Sequence, residues 1–466
     1  MRWATVCSMW RSLIPLLLLS CAAAQSSIYS TEYQSRRRAA MEKVPDGIIA
    51  LHSISGLKHW DESGSHQDAS FFAFTGLTNA RGAILVLDGT EGKSWLFVMP
   101  RPKMFGPEFG SDLQGADAAF VEPGPAAESA LKIDHVVPWD QFISFVDSRR
   151  KSNPKLVMYV DSAGQTGAMS GLVSDPPGMA AIENPHTLWR DAIHQQWSDL
   201  EIKDAFHILD EVRSIKSPAE QALLRKAAAI TAQGFWAGAL AIAPGKTQRQ
   251  VEAEVIRACL DAGSDGPSFW PWVRSGPYAM GNVLFEAFVD YNNLDRTMQA
   301  GEVVRLDLGC DFQMYKGDFG RTIPVSGHFD EGQSETMELL NGAYLAGVSK
   351  MRPGATPQDV FKATISYIEQ HQADLKSAMA KEAAANALKQ PNLPLHGLGV
   401  DMAEGAPKTF QAGNVVCYEP LLTAGNQAFF VEDTFLIVST GYEILNPPLP
   451  YSAKDIEQAL AKRRSN

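Results

Sequence analysis

The sequence contains little cysteine: five cysteines in 466 residues, none of them in a C-x-x-C pair. This excludes a disulfide-dense scaffold and a cysteine-based zinc site. Two of the cysteines, Cys7 and Cys21, precede the first predicted domain, which leaves Cys259, Cys310 and Cys417. Three thiols cannot all pair, so we interpret these three as small, buried apolar side chains.

The sequence also lacks a basic cluster and a long hydrophobic run. Lys and Arg number 41 against 53 Asp and Glu, giving a net charge of −12, so we expect no nucleic-acid partner. Because no run reaches the length of a bilayer span, we expect no stable transmembrane segment. With 45% hydrophobic and 20% charged residues, the chain has the composition of a globular protein and the length of two domains or more.

Residues 1–24 have the order of charges, apolar residues and small residues that is typical of a secretory signal peptide. Arg2 and Arg11 precede and flank a leucine-rich run, and three alanines end at Ala24. We therefore expect cleavage before Gln25 and a periplasmic or extracellular protein. A minor alternative is a lipoprotein anchored through Cys21, because a Leu-Leu-Ser-Cys sequence ends there.

The rest of the chain divides into two parts of different pattern. In residues 28–207, short β-rich runs, such as 83–87 and 94–98, alternate with helical stretches, which predicts an α/β domain. In residues 208–455, a capping box at Ser217–Glu220 predicts a long helix to about residue 240. Further helices are predicted after Thr247, over 356–371 and over 377–388. Strands are predicted over 282–291, 303–308, 320–325, 415–419 and 429–438.

Two aspartates lie on either side of a predicted hairpin in the second part. Asp307 follows the apolar run 303–306, and Asp318 comes 11 residues later, after a Tyr-Lys-Gly turn. A hairpin would bring the two side chains within about 5 Å of each other. Two carboxylates at that distance repel unless a cation lies between them, although two ordinary strand-edge aspartates would also fit the pattern.

Three further residues favour a metal site over ordinary strand-edge acids. Glu419 ends an apolar strand, and Glu432 lies inside another, where an unpaired acid would be costly to bury. His396 precedes a glycine-rich turn that allows the backbone to approach a site closely. Four carboxylates and one imidazole are a ligand set for divalent ions, Mn²⁺ first, with Zn²⁺, Co²⁺ and Fe²⁺ as alternatives.

In this order, the motifs resemble those of the pita-bread metallopeptidases, a family that includes methionine aminopeptidase, aminopeptidase P, prolidase and creatinase-like enzymes. The resemblance rests on five motifs: D-x-G at Asp307, D-x-x-R-T at Asp318, H-G-x-G at His396, E-P at Glu419 and E-D-T at Glu432. It implies an α+β pita-bread catalytic domain and two divalent metal ions held by these five residues. It also implies that Glu419 is the catalytic base, that the substrate is a peptide and that the chain self-associates.

The first part resembles the N-terminal domain of aminopeptidase P. Tyr33–Arg38 is similar to the opening of that domain, and Gln67–Leu77 is similar to its D-S-x-F-x-Y-L-T-G strand. The resemblance implies an Xaa-Pro aminopeptidase, which removes the N-terminal residue from peptides with proline in the second position. A prolidase-like or creatinase-like C–N hydrolase and a metal-binding homologue with little turnover remain as alternatives.

Four positions depart from the family pattern. At three positions where the family carries additional histidines, this chain has Asp290, Asn392 and Ala403. Where the family often carries an arginine, it has Phe430. Asp290 could accept a proton or hold the substrate amine where relatives use imidazole, or it could be a simple strand acid. Since general acid–base groups contribute about 10²–10⁴-fold, these departures predict slower turnover.

Overall fold

The computed structural model describes residues 28–54, 67–99, 120–162, 185–280, 295–391 and 393–465. The predicted signal peptide, the predicted strand 282–291 with Asp290, and Asn392 lie outside these residues.

Six strands of the N-terminal part form one mixed sheet, in the spatial order β4-β3-β2-β1-β5-β6. The strand β1 runs parallel to β5 and antiparallel to β2. The strands are β1 Gly47–His52, β2 Ile84–Asp88, β3 Lys93–Val98, β4 His135–Pro138, β5 Val157–Val160 and β6 Glu201–Asp204. The helices around them are α1 Ser30–Glu42, α2 Ala69–Thr75, α3 Pro125–Leu131, α4 Phe142–Ser152, α5 Pro185–Gln196 and α6 Phe206–Arg213. The predicted α/β architecture is therefore present in this part of the chain.

The segment that resembled a strand, Gln67–Leu77, is a helix, so that prediction was wrong. Asp68 caps α2 by accepting a hydrogen bond from the Phe71 N–H at 2.7 Å, and Gly76 ends the helix with a φ of 73°. Every residue of α2 is buried. Because a short apolar run buried on all sides shows neither helical nor strand periodicity, the sequence pattern could not separate the two.

The C-terminal part is built around a large sheet in the order β13-β14-β16-β12-β9-β8, with β15 and β17 also paired to β16. These strands are β8 Trp272–Ser275, β9 Val303–Leu308, β12 Phe319–Pro324, β13 Leu395–Gly397, β14 Val415–Tyr418, β15 Leu421–Ala424, β16 Gln427–Val438 and β17 Gly441–Ile444. A smaller sheet contains β7 Gly266–Pro267, β10 Cys310–Phe312 and β11 Tyr315–Lys316. Two of its strands, β10 and β11, lie in the chain between Asp307 and Asp318.

Helices cover the large sheet, and four of the six begin where the sequence predicted, after Ser217, Thr247, Thr356 and Ser377. They are α7 Pro218–Ala241, α8 Gln248–Asp261, α9 Glu331–Val348, α10 Pro357–His371, α11 Ala378–Lys389 and α12 Ala453–Arg464. Ser217 and Glu220 form the reciprocal capping box that the sequence predicted. The boundary between the two parts near residue 207 stays a prediction. In the described part of the chain, no helix is long and apolar enough to cross a bilayer.

Two of the three remaining cysteines form a disulfide, so the interpretation of all three as unpaired apolar residues was wrong. Cys259 on α8 is bonded to Cys310 on β10, with Cα atoms 5.9 Å apart. The two residues are 51 positions apart, and only the packing of α8 on the sheet brings them together. Cys417 is free and fully buried, as predicted.

Candidate metal centre

Neighbouring strands of the large sheet bring the five predicted ligands to one place. In the strand register, Gly320 of β12 lies opposite Asp307 on one side and opposite Glu432 on the other. A side chain at Gly320 would come within 2.5 Å of the Phe430 ring and the Leu306 carbonyl, so only glycine fits between the two acids. Asp318 precedes β12, His396 lies on β13, and Glu419 follows β14.

The ligand atoms form two groups that share one residue. Asp318, His396, Cys417 and Glu432 form the first group, and Asp307, Glu419 and Glu432 form the second. Within each group, all ligand atoms lie within 4.8 Å of one another. This is the spacing at which a single cation can contact every member of a group, and Glu432 belongs to both groups.

The imidazole of His396 has a suitable orientation for binding a cation. Its Nδ1 lies 2.9 Å from the Gly397 carbonyl oxygen, so Nδ1 carries the proton that is donated to that oxygen. The other nitrogen, Nε2, lies 3.6 Å from Asp318 Oδ2 and 3.7 Å from Glu419 Oε1. Those separations exceed a hydrogen bond and leave Nε2 as a metal-ligating atom.

The acids of the centre repel one another in the absence of a cation. Burial raises the pKa of Glu432 and Asp318 well above the usual range, and the neighbouring carboxylates raise both further. Burial also raises the pKa of Asp307 and Glu419, although Arg305 opposes this. The Oε2 atom of Glu432 is buried and has no hydrogen-bond partner. A divalent cation would satisfy this atom and offset the repulsion, so the residues fit the predicted metal.

Exposure within the centre is uneven and indicates the side from which a substrate approaches. The side chains of Glu432, Asp318 and Asp307 are 1%, 3% and 8% exposed. Those of Glu419 and His396 are 16% and 18% exposed. The open side of the centre is therefore the side of His396 and Glu419.

Sequence reasoning missed Arg305, which lies inside the centre. Its Nη2 atom is 2.7 Å from Asp307 Oδ2 and 3.1 Å from Glu419 Oε2. The guanidinium lies over the ring of Phe430, 4.1 Å from its centre. Phe430 is one of the positions that depart from the family pattern. A signal was present, because a residue two positions before Asp307 on a strand must face the same side of the sheet.

Sequence reasoning also missed that Cys417 lies in the centre, where it is directly opposite His396 in the register of β13 and β14. The Cys417 thiol belongs to the first ligand group, and burial beside Asp318 and Glu432 raises its pKa well above the usual range. It lies 3.4 Å from the Thr434 hydroxyl. Cys417 thus adds a sulfur atom to a site that was predicted from oxygen and nitrogen ligands.

A network on the opposite face of β16 fixes the strand that carries Glu432. Arg321 Nη2 donates to Asp433 Oδ1 at 2.7 Å, and the Tyr451 hydroxyl donates to Asp433 Oδ2 at 2.9 Å. Tyr344 donates to the same carboxylate, and Arg321 also reaches the Glu432 carbonyl oxygen. Arg321 of the D-x-x-R-T motif and Asp433 of the E-D-T motif therefore position the strands that carry the candidate ligands.

Of the other three positions that depart from the family pattern, the structure describes Ala403 alone. Ala403 is half-buried and is followed by Glu404, whose backbone pairs with Gly397 beside His396. Glu404 is itself buried in an ion pair with Lys216. Although burial acts to raise the pKa of Glu404, Lys216 and Arg213 hold it below the usual value. Asp290 and Asn392 lie outside the described residues.

Comparison with known proteins defines the class of this fold and site. Residues 222–439, which contain all five candidate ligands, match metallopeptidase family M24. The Xaa-Pro aminopeptidase of Escherichia coli K12 is 25% identical over 94% of this chain and 99% of its own length. The mitochondrial intermediate cleaving peptidase 55 of Arabidopsis thaliana is 25% identical, over 92% of this chain and 82% of the relative.

Solved structures share the fold. Proline aminopeptidase P II from Yersinia pestis superposes with a TM-score of 0.69 at 22% identity, covering 93% of this chain and all of that chain. Aminopeptidase P from E. coli with the inhibitor Pro-Leu also gives 0.69 at 22% identity, over 94% of this chain. The family match and these comparisons support an aminopeptidase P-like metallopeptidase that has an α/β N-terminal part and a pita-bread catalytic part and that uses divalent metal.

Proposed function

We propose that this protein removes the N-terminal residue from peptides with proline in the second position and that two divalent ions, Mn²⁺ first among them, support the reaction. The observation that carries the proposal is the pair of ligand groups sharing Glu432, in a chain that is similar to the Xaa-Pro aminopeptidase of E. coli over 94% of its length. Both the predicted ligand set and the unpartnered Oε2 atom of Glu432 support metal binding at this position.

The two groups suggest which residues hold each ion. Asp318, His396 and Glu432 would hold one, and Asp307, Glu419 and Glu432 the other. When bound, such ions polarise a peptide carbonyl and make a water molecule easier to deprotonate. The predominance of carboxylate ligands favours Mn²⁺ over softer ions.

Glu419 is the residue best placed to move a proton. It lies on the open side of the centre, and burial raises the pKa of its carboxyl group above the ordinary value. Arg305 holds Oε2 of this carboxylate. We therefore assign to Oε1 the role of carrying a proton from the attacking water to the leaving nitrogen. His396 Nε2 lies 3.7 Å from Oε1, beyond hydrogen-bond distance.

The test is hydrolysis by protein reconstituted with Mn²⁺. Xaa-Pro-Xaa peptides should be cleaved after the first residue, whereas Xaa-Pro dipeptides and creatine should not. Glu419→Gln should nearly abolish cleavage, and the matched control Glu443→Gln, at an exposed acid of the same sheet, should retain it. Cleavage of the dipeptide or of creatine alone would favour the prolidase-like or creatinase-like alternative. If no substrate is cleaved with any metal, a metal-binding homologue without turnover remains.

We propose further that the protein is exported and cleaved before Gln25. The order of charged, apolar and small residues in 1–24 supports this, and so does the Cys259–Cys310 disulfide, because such bonds persist mainly in oxidising compartments. N-terminal sequencing of the exported protein should begin at Gln25. A lipid-blocked Cys21 would instead support the lipoprotein alternative, and an intact Met1 would contradict export.

A further inference from the structure

Residues 397–405 form a turn that follows His396 and holds its imidazole. The Gly397 N–H donates to the Glu404 carbonyl oxygen at 2.8 Å, and the Glu404 N–H donates to the Gly397 carbonyl oxygen at 3.0 Å. The same Gly397 oxygen accepts the Nδ1 proton of His396 at 2.9 Å. The backbone of Glu404 therefore holds the oxygen that orients the His396 ring and fixes which nitrogen carries its proton.

A buried ion pair holds the side chain of Glu404. Lys216 pairs with its carboxylate, and each of the two side chains is 2% exposed. The carboxylate also packs against Gly399, where it leaves no room for a side chain. Because a buried carboxylate without a cationic partner is costly, Lys216 is needed to keep Glu404 in this place.

Two further residues close to Lys216 in the sequence contact the same turn. Arg213 Nη1 lies 2.8 Å from Asp401 Oδ2, and both side chains are buried. Asp210 Oδ1 accepts a hydrogen bond from the Gly405 N–H at 3.0 Å. Asp210, Arg213 and Lys216 follow one another at intervals of three residues. One short segment of the chain therefore contacts the turn at three places.

Neither cation of this segment contacts the metal centre directly. The described contacts of Lys216 and Arg213 include none of the five candidate ligands. Through charge alone, these two side chains would oppose the binding of a cation nearby, so removing either charge would tighten metal binding. A variant that loosens the turn should instead weaken metal binding. The sign of the change in affinity therefore separates the two effects.

Resting on the proposed metal-dependent function, we propose that Lys216 and Arg213 are positioning residues for His396. The two cations fix the acidic side chains of the 397–405 turn, the turn fixes the Gly397 carbonyl oxygen, and that oxygen keeps the proton of His396 on Nδ1. Nε2 is then kept free for a metal ion. Outer partners of a metal-ligating histidine contribute about 10–100-fold to metal affinity or activity, and we expect the lower end because these residues act through a turn.

The first test compares the wild-type full chain with Lys216→Met, which keeps the apolar stem of the side chain and removes its charge. Histidines are labelled with ¹⁵N, and the His396 ring signals of the metal-free protein are identified by their loss in His396→Gln. At pH 8, the wild type should carry the His396 proton on Nδ1 alone. Lys216→Met should show both neutral tautomers, because the Gly397 oxygen is no longer held in place.

The second measurement is a Mn²⁺ titration of the same chelator-treated proteins, followed by the electron paramagnetic resonance signal of free Mn²⁺. Lys216→Met should bind Mn²⁺ about tenfold more weakly than the wild type. With Mn²⁺ in excess, kcat on an Xaa-Pro-Xaa peptide should fall by a similar factor, and KM should change less, because the orientation of a ligand matters more to the reaction than to peptide binding.

Three further variants sharpen the test. Lys216→Arg retains the charge and should retain the wild-type tautomer and most of the Mn²⁺ affinity. Arg213→Met loosens the turn at Asp401 and should act like Lys216→Met, which provides a second test if Lys216→Met does not fold. Arg149→Met removes the cationic partner of the fully buried Asp88 in the N-terminal sheet, so it should lower stability and leave the tautomer and the affinity unchanged.

An unchanged His396 tautomer in both Lys216→Met and Arg213→Met would overturn the proposal. So would tighter Mn²⁺ binding in these variants, because charge alone would then explain their effect. Failure of the proposed function looks different: the wild type would carry the His396 proton on Nδ1 and yet bind no Mn²⁺, or would bind Mn²⁺ without cleaving Xaa-Pro peptides.

Discussion

Replacing Glu432 with glutamine should stabilise the metal-free protein while abolishing its response to metal. Glu432 is 1% exposed, belongs to both ligand groups and has an oxygen without a hydrogen-bond partner. Glutamine has nearly the same shape and no charge, and its amide can donate to the neighbouring carboxylates. The variant therefore removes a repulsion that a bound cation relieves in the wild type.

The size of the effect follows from the spacing of the ligand atoms. Two like charges 4.8 Å apart repel by about 3.5 kcal/mol at an effective dielectric constant of about 20. Because Arg305 and local relaxation offset part of this repulsion, we expect a gain of about 2 kcal/mol in the free energy of unfolding. For a domain of this size, such a gain raises the Tm by roughly 4–8 °C.

The gain should depend on pH with a definite sign. Burial raises the pKa of Glu432 in the folded, metal-free state, so the folded state binds the proton more tightly than the unfolded state. Below the ordinary Glu pKa of about 4.3, both states are protonated and the variant gains nothing. As the pH rises from there to the raised pKa of the folded state, the metal-free wild type loses stability and the variant does not.

The assay is thermal unfolding of both proteins at pH 5 and pH 8, with chelator and with Mn²⁺. At 100 times its dissociation constant, an ion stabilises the wild type by about 2.7 kcal/mol, whereas Glu432→Gln should show no shift. Glu443→Gln, on an exposed side chain, is the control and should stay within about 0.5 kcal/mol of the wild type. A metal-free Glu432→Gln protein less stable than the wild type at pH 8 would refute the reasoning.

Three other predictions concern residues around the centre. Lys216→Ala should cost about 3–5 kcal/mol in urea denaturation, because it leaves Glu404 charged and buried, and a loss below about 1 kcal/mol would contradict the ion pair's role. Cys417 should react with thiol reagents only after unfolding, since burial raises the pKa of its thiol; rapid labelling of the native protein, seen by mass spectrometry, would show that the site opens. Ala403→His should raise kcat/KM on an Xaa-Pro peptide by up to about 100-fold if the surrounding positions are family-like, and an unchanged value would show that they are not.

Local patterns in the sequence were sufficient for the regular elements. The helix over Pro218–Ala241 begins at its capping box because the cap depends on residues only three positions apart. The strand over Val303–Leu308 has the predicted bounds, since a buried strand next to a glycine turn is visible as a short apolar run. The order and spacing of five motifs were enough to select the candidate ligands, because acids are rarely placed in apolar strands without a partner.

Only the tertiary structure decided which groups share the centre and how they are paired. Arg305 meets Glu419 across 114 residues of sequence, and Cys259 meets Cys310 across 51. The helix Ala69–Thr75 is likewise set by its burial on all sides, which removes the periodicity that separates helix from strand. These features depend on contacts between distant segments, and the free energy of such contacts exists only once the sheet has assembled. The sequence determined the candidate ligands, and the packing of the sheet determined that Arg305 lies against two of them.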